Sequence, residues 1–176
     1  MLPLKGSFRK MAMEEIKVTA VAKEELYKEL LPQLYSVIAD ESNPIANMAN
    51  IVAALKQTFS YFSWVGFYIY EKKSNELVLG PFQGKIACTL IKAGKGVCGT
   101  SFQLNQTLVV PDVNQFPGHI FCDGDSKSEI VLPLVHGTDL LGVLDVDSHE
   151  YDSFDETDKK YLETLVKNIS GKIIYT

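Results

Sequence analysis

The chain has little of what several functions need. Of its 176 residues three are cysteine, three are histidine and one is tryptophan. No run approaches the ~18 consecutive apolar residues of a membrane span. No Lys/Arg block and no basic helix face offsets a net charge of -5, which argues against nonspecific binding to nucleic acid or acidic membranes. The opening MLPLKGSFRKMAMEE is basic but has no apolar stretch long enough for a signal peptide, so the cytoplasm is the expected compartment. Thiols stay reduced there unless they turn over, and an odd number of cysteines fits a structural disulfide framework badly. Repeats and low-complexity segments are lacking too.

What is there suits one soluble domain, with 46% apolar and 22% charged residues. Met1, Met11 and Met13 leave the natural start open, so residues 1–12 are expected to be a disordered leader or extension and 13–176 the domain. Leu26, Leu30, Leu34 and Ile38 predict a helix within 19–40, kinked or split at Pro32. A second helix follows, with Asn43 as cap and Pro44 at its first position. SWVGFYIYEK and ELVLGPF predict a hairpin, KIACTLIK a further strand, GVCGTSFQL a short helix and TLVVPD a strand. Residues 113–128 form a long loop, a kind usually functional or disordered. EIVLPLVH and LLGVLDVDSH make another hairpin, and a capped amphipathic helix starts near Ser153 and Asp155. The fold class is α+β: a mainly antiparallel central sheet flanked by N- and C-terminal helices.

Cys122 lies in HIFCDGDSKSEI, among Asp, Gly and Ser rather than core residues, so catalysis, redox sensing or metal ligation outranks packing for it. Cys88 reads as a core strand residue. Cys98 sits near a helix N-terminus, where the dipole would lower its pKa. Spacings of ten and twenty-four forbid a CxxC motif but not a meeting in space. The three cysteines with His119 make a formal Cys₃His zinc set, yet they lack the close-spaced pairs of structural zinc sites. A Cys122 hydrolase would need a base, and His119, His136 and His149 offer no evident oxyanion arrangement.

The carboxylates say more. Glu129 follows the cysteine loop, and Asp145 and Asp147 share one strand face with Leu141 and Val143. Such a face describes a pocket with an acidic wall, although a solvated Asp145 and a strand-end Asp147 fit the same pattern. A thiolate attacking a sulfoxide needs the oxygen protonated, and crowded carboxylic acids can supply that proton. Further carboxylates can hold an ammonium, and a second thiol can close a disulfide on the resulting sulfenic acid.

With SWVGFY, LVLGPFQGKIAC, GKGVCGTS, VVPDVNQFPGHIFCDGDSKSEIVLPL and LGVLDVDS…FDETD, the chain resembles the free methionine-R-sulfoxide reductases, enzymes built on a GAF domain. The resemblance covers about residues 19–171. It implies a single GAF-like catalytic domain that reduces free L-methionine (R)-S-oxide and not the protein-bound residue. It implies Cys122 as the attacking thiol that becomes a sulfenic acid, and Cys88 as the resolving thiol, hence a Cys88–Cys122 disulfide. Cys98 would be an alternative resolver or a relay. Glu129, Asp145 and Asp147 would line the pocket, and Trp64 and Tyr68 would flank the methyl-sulfur end. No metal or bound cofactor is implied; thioredoxin is the external reductant, and homodimer formation is left open. A noncatalytic GAF sensor would belong to a longer chain with an output domain, and a redox sensor with a reversible disulfide is the nearer rival.

Overall fold

A computed structural model describes residues 15–120 and 122–174; the expected leader at 1–12 lies outside them. Helix α1 (Lys23–Ala39) buries Tyr27, Leu30, Leu34 and Ile38, and it runs unbroken through Pro32 rather than splitting there. Helix α2 (Pro44–Thr58) starts as its sequence predicts: Asn43 Oδ1 accepts from the amides of Ile45 and Ala46, and Pro44 takes the position where a missing N–H costs nothing.

Six strands follow: β1 (Trp64–Glu71), β2 (Glu76–Gln83), β3 (Leu90–Lys92), β4 (Leu108–Val110), β5 (Ser128–His136) and β6 (Asp139–Ser148). They form one sheet in the order β3-β2-β1-β6-β5-β4, with every neighbouring pair antiparallel. Helix α3 (Gly96–Leu104) lies between β3 and β4, and α4 (Glu156–Ile169) closes the chain with Asp155 and Asp158 in a reciprocal capping box. Pro133 is tolerated in β5 because β4 pairs only as far as Val131, so its missing donor is on an unpaired flank.

The two faces of the sheet differ. One carries Val65, Phe67, Ile130, Leu132, Leu134, Leu144 and Val146, and packs against α1, α2 and α4 as the main core. The other carries Trp64, Tyr68, Leu77, Val131 and Val143 beneath α3 and the cysteine loop. Leu141 does not follow Val143 as strict alternation predicts; it packs against the main core. The cause is a bulge, since Leu134 pairs with Gly142 while Val135 pairs with Leu140, leaving one extra residue in β6.

Candidate active site

Strand register gathers the acids. Glu129 stands directly opposite Asp147 across β5 and β6, and Asp145, two residues back, stands opposite Val131. All three therefore project from the second face, beneath α3. Like charges placed directly opposite are unfavourable in a sheet, and among the described residues no Lys or Arg pairs with these acids; Cys98 Sγ and carboxylate oxygens of Glu129 and Asp145 lie within 4.8 Å of one another. Burial first, and then the neighbouring Asp145 and Asp147 carboxylates, push the Glu129 carboxyl well above its usual range. Burial, then Asp145, does the same to Asp147. Asp145 rises less, to about 6; burial raises it, and hydrogen bonding to Cys98, Glu129 and the Val146 amide pulls it back. Asp145 is thus the least raised of the three, and its Oδ1 is buried without a hydrogen-bond partner among the described residues.

Cys98 donates to Glu129 Oε1 at 3.7 Å. Its thiol contradicts the expectation from the helix dipole. Burial, followed by Asp145 and Glu129, drives the pKa well up, because a thiolate there would join two carboxylates in a dry space.

Cys88 and Cys122 are joined by a disulfide, with their Cα atoms 5.3 Å apart, while Cys98 stays free. Cys88 is not on a strand as KIACTLIK suggests. Strand β3 starts only at Leu90, and 84–89 form a loop whose carbonyls are taken by side chains of β1. The Trp64 indole N–H donates to Lys85 O at 3.0 Å, and the Tyr68 hydroxyl donates to Cys88 O at 2.9 Å. Gly84, at φ +139°, makes the turn into this loop, and a Cβ there would lie 2.4 Å from the Trp64 ring. The two aromatic rings stack at 6.0 Å, so they both line the site and tether the Cys88 loop.

Two small adjoining cavities result. Cys98, Cys122, Glu129, Asp145 and Asp147 line the first with Lys95, Gly96, Val97, His119 and Ser126. Trp64, Tyr68, Asp145 and Asp147 line the second, and Cys122 borders it as well. The disulfide therefore lies where the two spaces meet. Together they measure about 40 and 20 Å³, room for a few waters and not for an amino acid. Burial lowers the pKa of His119.

Some groups at the site carry no clear sequence signal. Asp123 Oδ1 accepts from Lys85 Nζ at 3.3 Å, and Asp123 Oδ2 lies 3.3 Å from His149 Nε2; Lys85 also pairs with Asp125. This clasp joins the Cys88 loop, the Cys122 loop and the end of β6. Asp123 could have been flagged as the neighbour of Cys122. Lys85, 38 residues away, could not.

Comparisons with known proteins identify the family. The GAF domain family matches residues 45–172. GAF domain-containing protein A of Dictyostelium discoideum is 55% identical over 154 residues, 88% of this chain and 96% of that one. The free methionine-R-sulfoxide reductase of Saccharomyces cerevisiae is 43% identical over 87% of this chain and 88% of its own. The crystal structure of free methionine-R-sulfoxide reductase from Neisseria meningitidis with its substrate superposes with TM-score 0.89 and 47% identity, covering 92% of this chain and 96% of that one.

The chain belongs to the free methionine-R-sulfoxide reductases. It is an oxidoreductase on a single GAF domain, a class the fold alone would not have identified. A more distant GAF domain, from a Coxiella burnetii phosphotransferase, shares the fold at TM-score 0.78 with only 17% identity. The fold is thus shared well beyond the reductases and does not by itself specify the activity.

Proposed function

We propose that the protein reduces free L-methionine (R)-S-oxide to methionine, with Cys122 as nucleophile, Cys88 as resolving thiol and thioredoxin as reductant. The observation that carries this reading is the Cys88–Cys122 disulfide lying against a buried, proton-holding acid cluster. Cys122 attacks the sulfoxide sulfur while Glu129 or Asp147, held neutral, protonates the oxygen; methionine leaves and Cys122 keeps the oxygen as a sulfenic acid. Cys88 then attacks Cys122 Sγ, expelling water and closing the disulfide. The electrons travel through thiols, so the cycle requires no bound cofactor.

Binding follows from the same walls. The unpartnered Asp145 Oδ1 suits the ammonium group. The substrate carboxylate is assigned to the start of α3, where no side chain caps the first amides and Lys95 borders the cavity. Trp64 and Tyr68 receive the methyl-sulfur end. A peptide offers neither free charge, which explains discrimination against protein-bound sulfoxide. Because the oxidised cavities are so small, the disulfide has to open before substrate enters. Cys98 follows Cys88 as resolver, since its raised pKa leaves little thiolate. Residues 13–176 act as one catalytic domain in the reducing cytoplasm.

The test is NADPH consumption with thioredoxin and thioredoxin reductase, using resolved R and S sulfoxides of free methionine. The R form is expected to turn over repeatedly and Cys122→Ser to lose all turnover. Full turnover in Cys122→Ser overturns the assigned nucleophile, and a single turnover in the wild type would mark a redox sensor instead.

A further inference from the structure

The disulfide has two unlike ends. Cys122 borders both cavities, whereas Cys88 borders neither and sits on the loop that leads into edge strand β3. Attack on a disulfide comes from behind the sulfur attacked, and access decides which sulfur that is. Both cysteines are half-buried, but on the cavity side of Cys122 the spaces hold only a few waters and are walled by carboxyl groups. The approach to Cys88 has different properties. Leu90, two residues on, is 53% exposed, and Ile86, two residues before, is 91% exposed. Among the described residues β3 pairs only with β2; apart from Lys92 O, which accepts from the Lys95 amide, its other edge is open to an incoming segment. Lys92, at the end of β3, is exposed and has no ion-pair partner among the described residues. Exposed Lys95 lies three residues on, so the end of β3 carries two lysines against one acid, Glu76, which stands opposite Lys92 in β2.

We infer that the reductant enters at Cys88: an acidic dithiol protein docks on Ile86, Leu90, Lys92 and the open edge of β3, and its thiolate attacks Cys88 Sγ. This rests on the reading given under Proposed function and adds the partner's docking surface and the direction of electron entry. The incoming sulfur bonds to Cys88 as the Cys88–Cys122 bond breaks, and its electron pair leaves on Cys122 Sγ. Cys122 takes a proton in the acid-lined space. The partner's second thiolate then attacks its own sulfur in the mixed disulfide and releases Cys88. The partner ends as a disulfide, and this protein has gained two electrons and two protons. The polarity has a use, since the freed thiol is the one facing the substrate space.

A thioredoxin variant with its second active-site cysteine replaced by serine should trap the mixed disulfide on the oxidised protein. In an alkylation-quenched time course, peptide mapping is expected to find the adduct on Cys88. An adduct on Cys122 or Cys98, or none at all, overturns the proposal. Docking is read separately. Leu90→Ser and Lys92→Glu should each raise the KM for thioredoxin about fivefold to tenfold, with turnover on dithiothreitol unchanged, and Lys92→Glu should also weaken the dependence on salt. An unchanged KM in both variants overturns the docking surface. Disulfide formation in a single turnover with substrate, after reduction by dithiothreitol, tests the underlying reading on its own.

Discussion

Asp158 and Asp145 are both buried carboxylates, on opposite sides of the same sheet, and their surroundings are opposites. Asp158 lies on the helix-covered side. Its Oδ2 accepts from Lys23 Nζ at 2.6 Å and from the Asp155 amide at 2.9 Å, and its Oδ1 accepts from the hydroxyls of Tyr27 at 2.8 Å and Tyr61 at 2.6 Å. Every strong acceptor site has a donor, and one donor is a cation. Asp145 has two acids and a buried thiol for neighbours, and an oxygen with no partner. A carboxylate whose needs the fold meets is a structural joint, here tying α1, the α2–β1 turn and α4 together. One whose needs the fold leaves unmet is waiting for something from outside.

Removing each carboxylate should therefore act in opposite directions. Asp158→Ala leaves the Tyr27 and Tyr61 hydroxyls without their acceptor and takes one of three acceptors from half-buried Lys23, which is expected to cost on the order of 3 kcal/mol. A urea unfolding curve reads that loss, and activity per folded molecule should stay unchanged. A cost near zero would break the comparison. Asp145→Asn is expected to stabilise the substrate-free protein by on the order of 2–3 kcal/mol above pH 6 while removing most of the activity. The sign follows from linkage. The folded pKa, about 6, exceeds the unfolded value near 3.8, so the native state binds the extra proton between them, and the wild type loses stability as pH rises through that window. The advantage of the variant should fade as the pH falls from about 6 to about 4 and be absent below that. Unfolding midpoints of both proteins across pH 4–8 measure it, and an advantage that does not change with pH would assign the effect to something other than the proton.

How much of this contrast was legible beforehand varies by element. Helical spacing from Leu26 to Ile38, the Asn43-Pro44 start and both hairpins were readable because each rests on local rules. Those rules failed where tertiary partners outbid them. KIACTLIK has strand composition, but Trp64 and Tyr68 capture the carbonyls of its first half and hold it as a loop. The alternation through Leu141 failed at a bulge that depends on the register with β5. The dipole argument for Cys98 was sound for an exposed helix start and wrong for one facing Glu129 and Asp145. The acids were visible as a face of one strand plus a neighbour. That they crowd without a cation is a property of register, and the Lys85–Asp123 clasp joins segments no local pattern connects.

The pH dependence of the reaction sharpens the contrast further. Glu129 and Asp147 are raised by burial and by one another's surroundings, with Asp145 as the common neighbour. A general acid works only while protonated, so kcat/KM with thioredoxin saturating should fall as the pH rises through the raised pKa of whichever group donates. Glu129→Gln keeps the shape and a hydrogen-bond donor but cannot release a proton. If Glu129 is the donor, this variant should lower kcat/KM by about 10²–10⁴-fold and abolish the alkaline limb. If Asp147 is the donor, Glu129→Gln should leave the limb in place, because burial and Asp145, not Glu129, raise the Asp147 carboxyl. Asp147→Asn then gives the reciprocal result. A limb that neither substitution moves would take the proton out of this cluster altogether, and with it the functional half of the comparison.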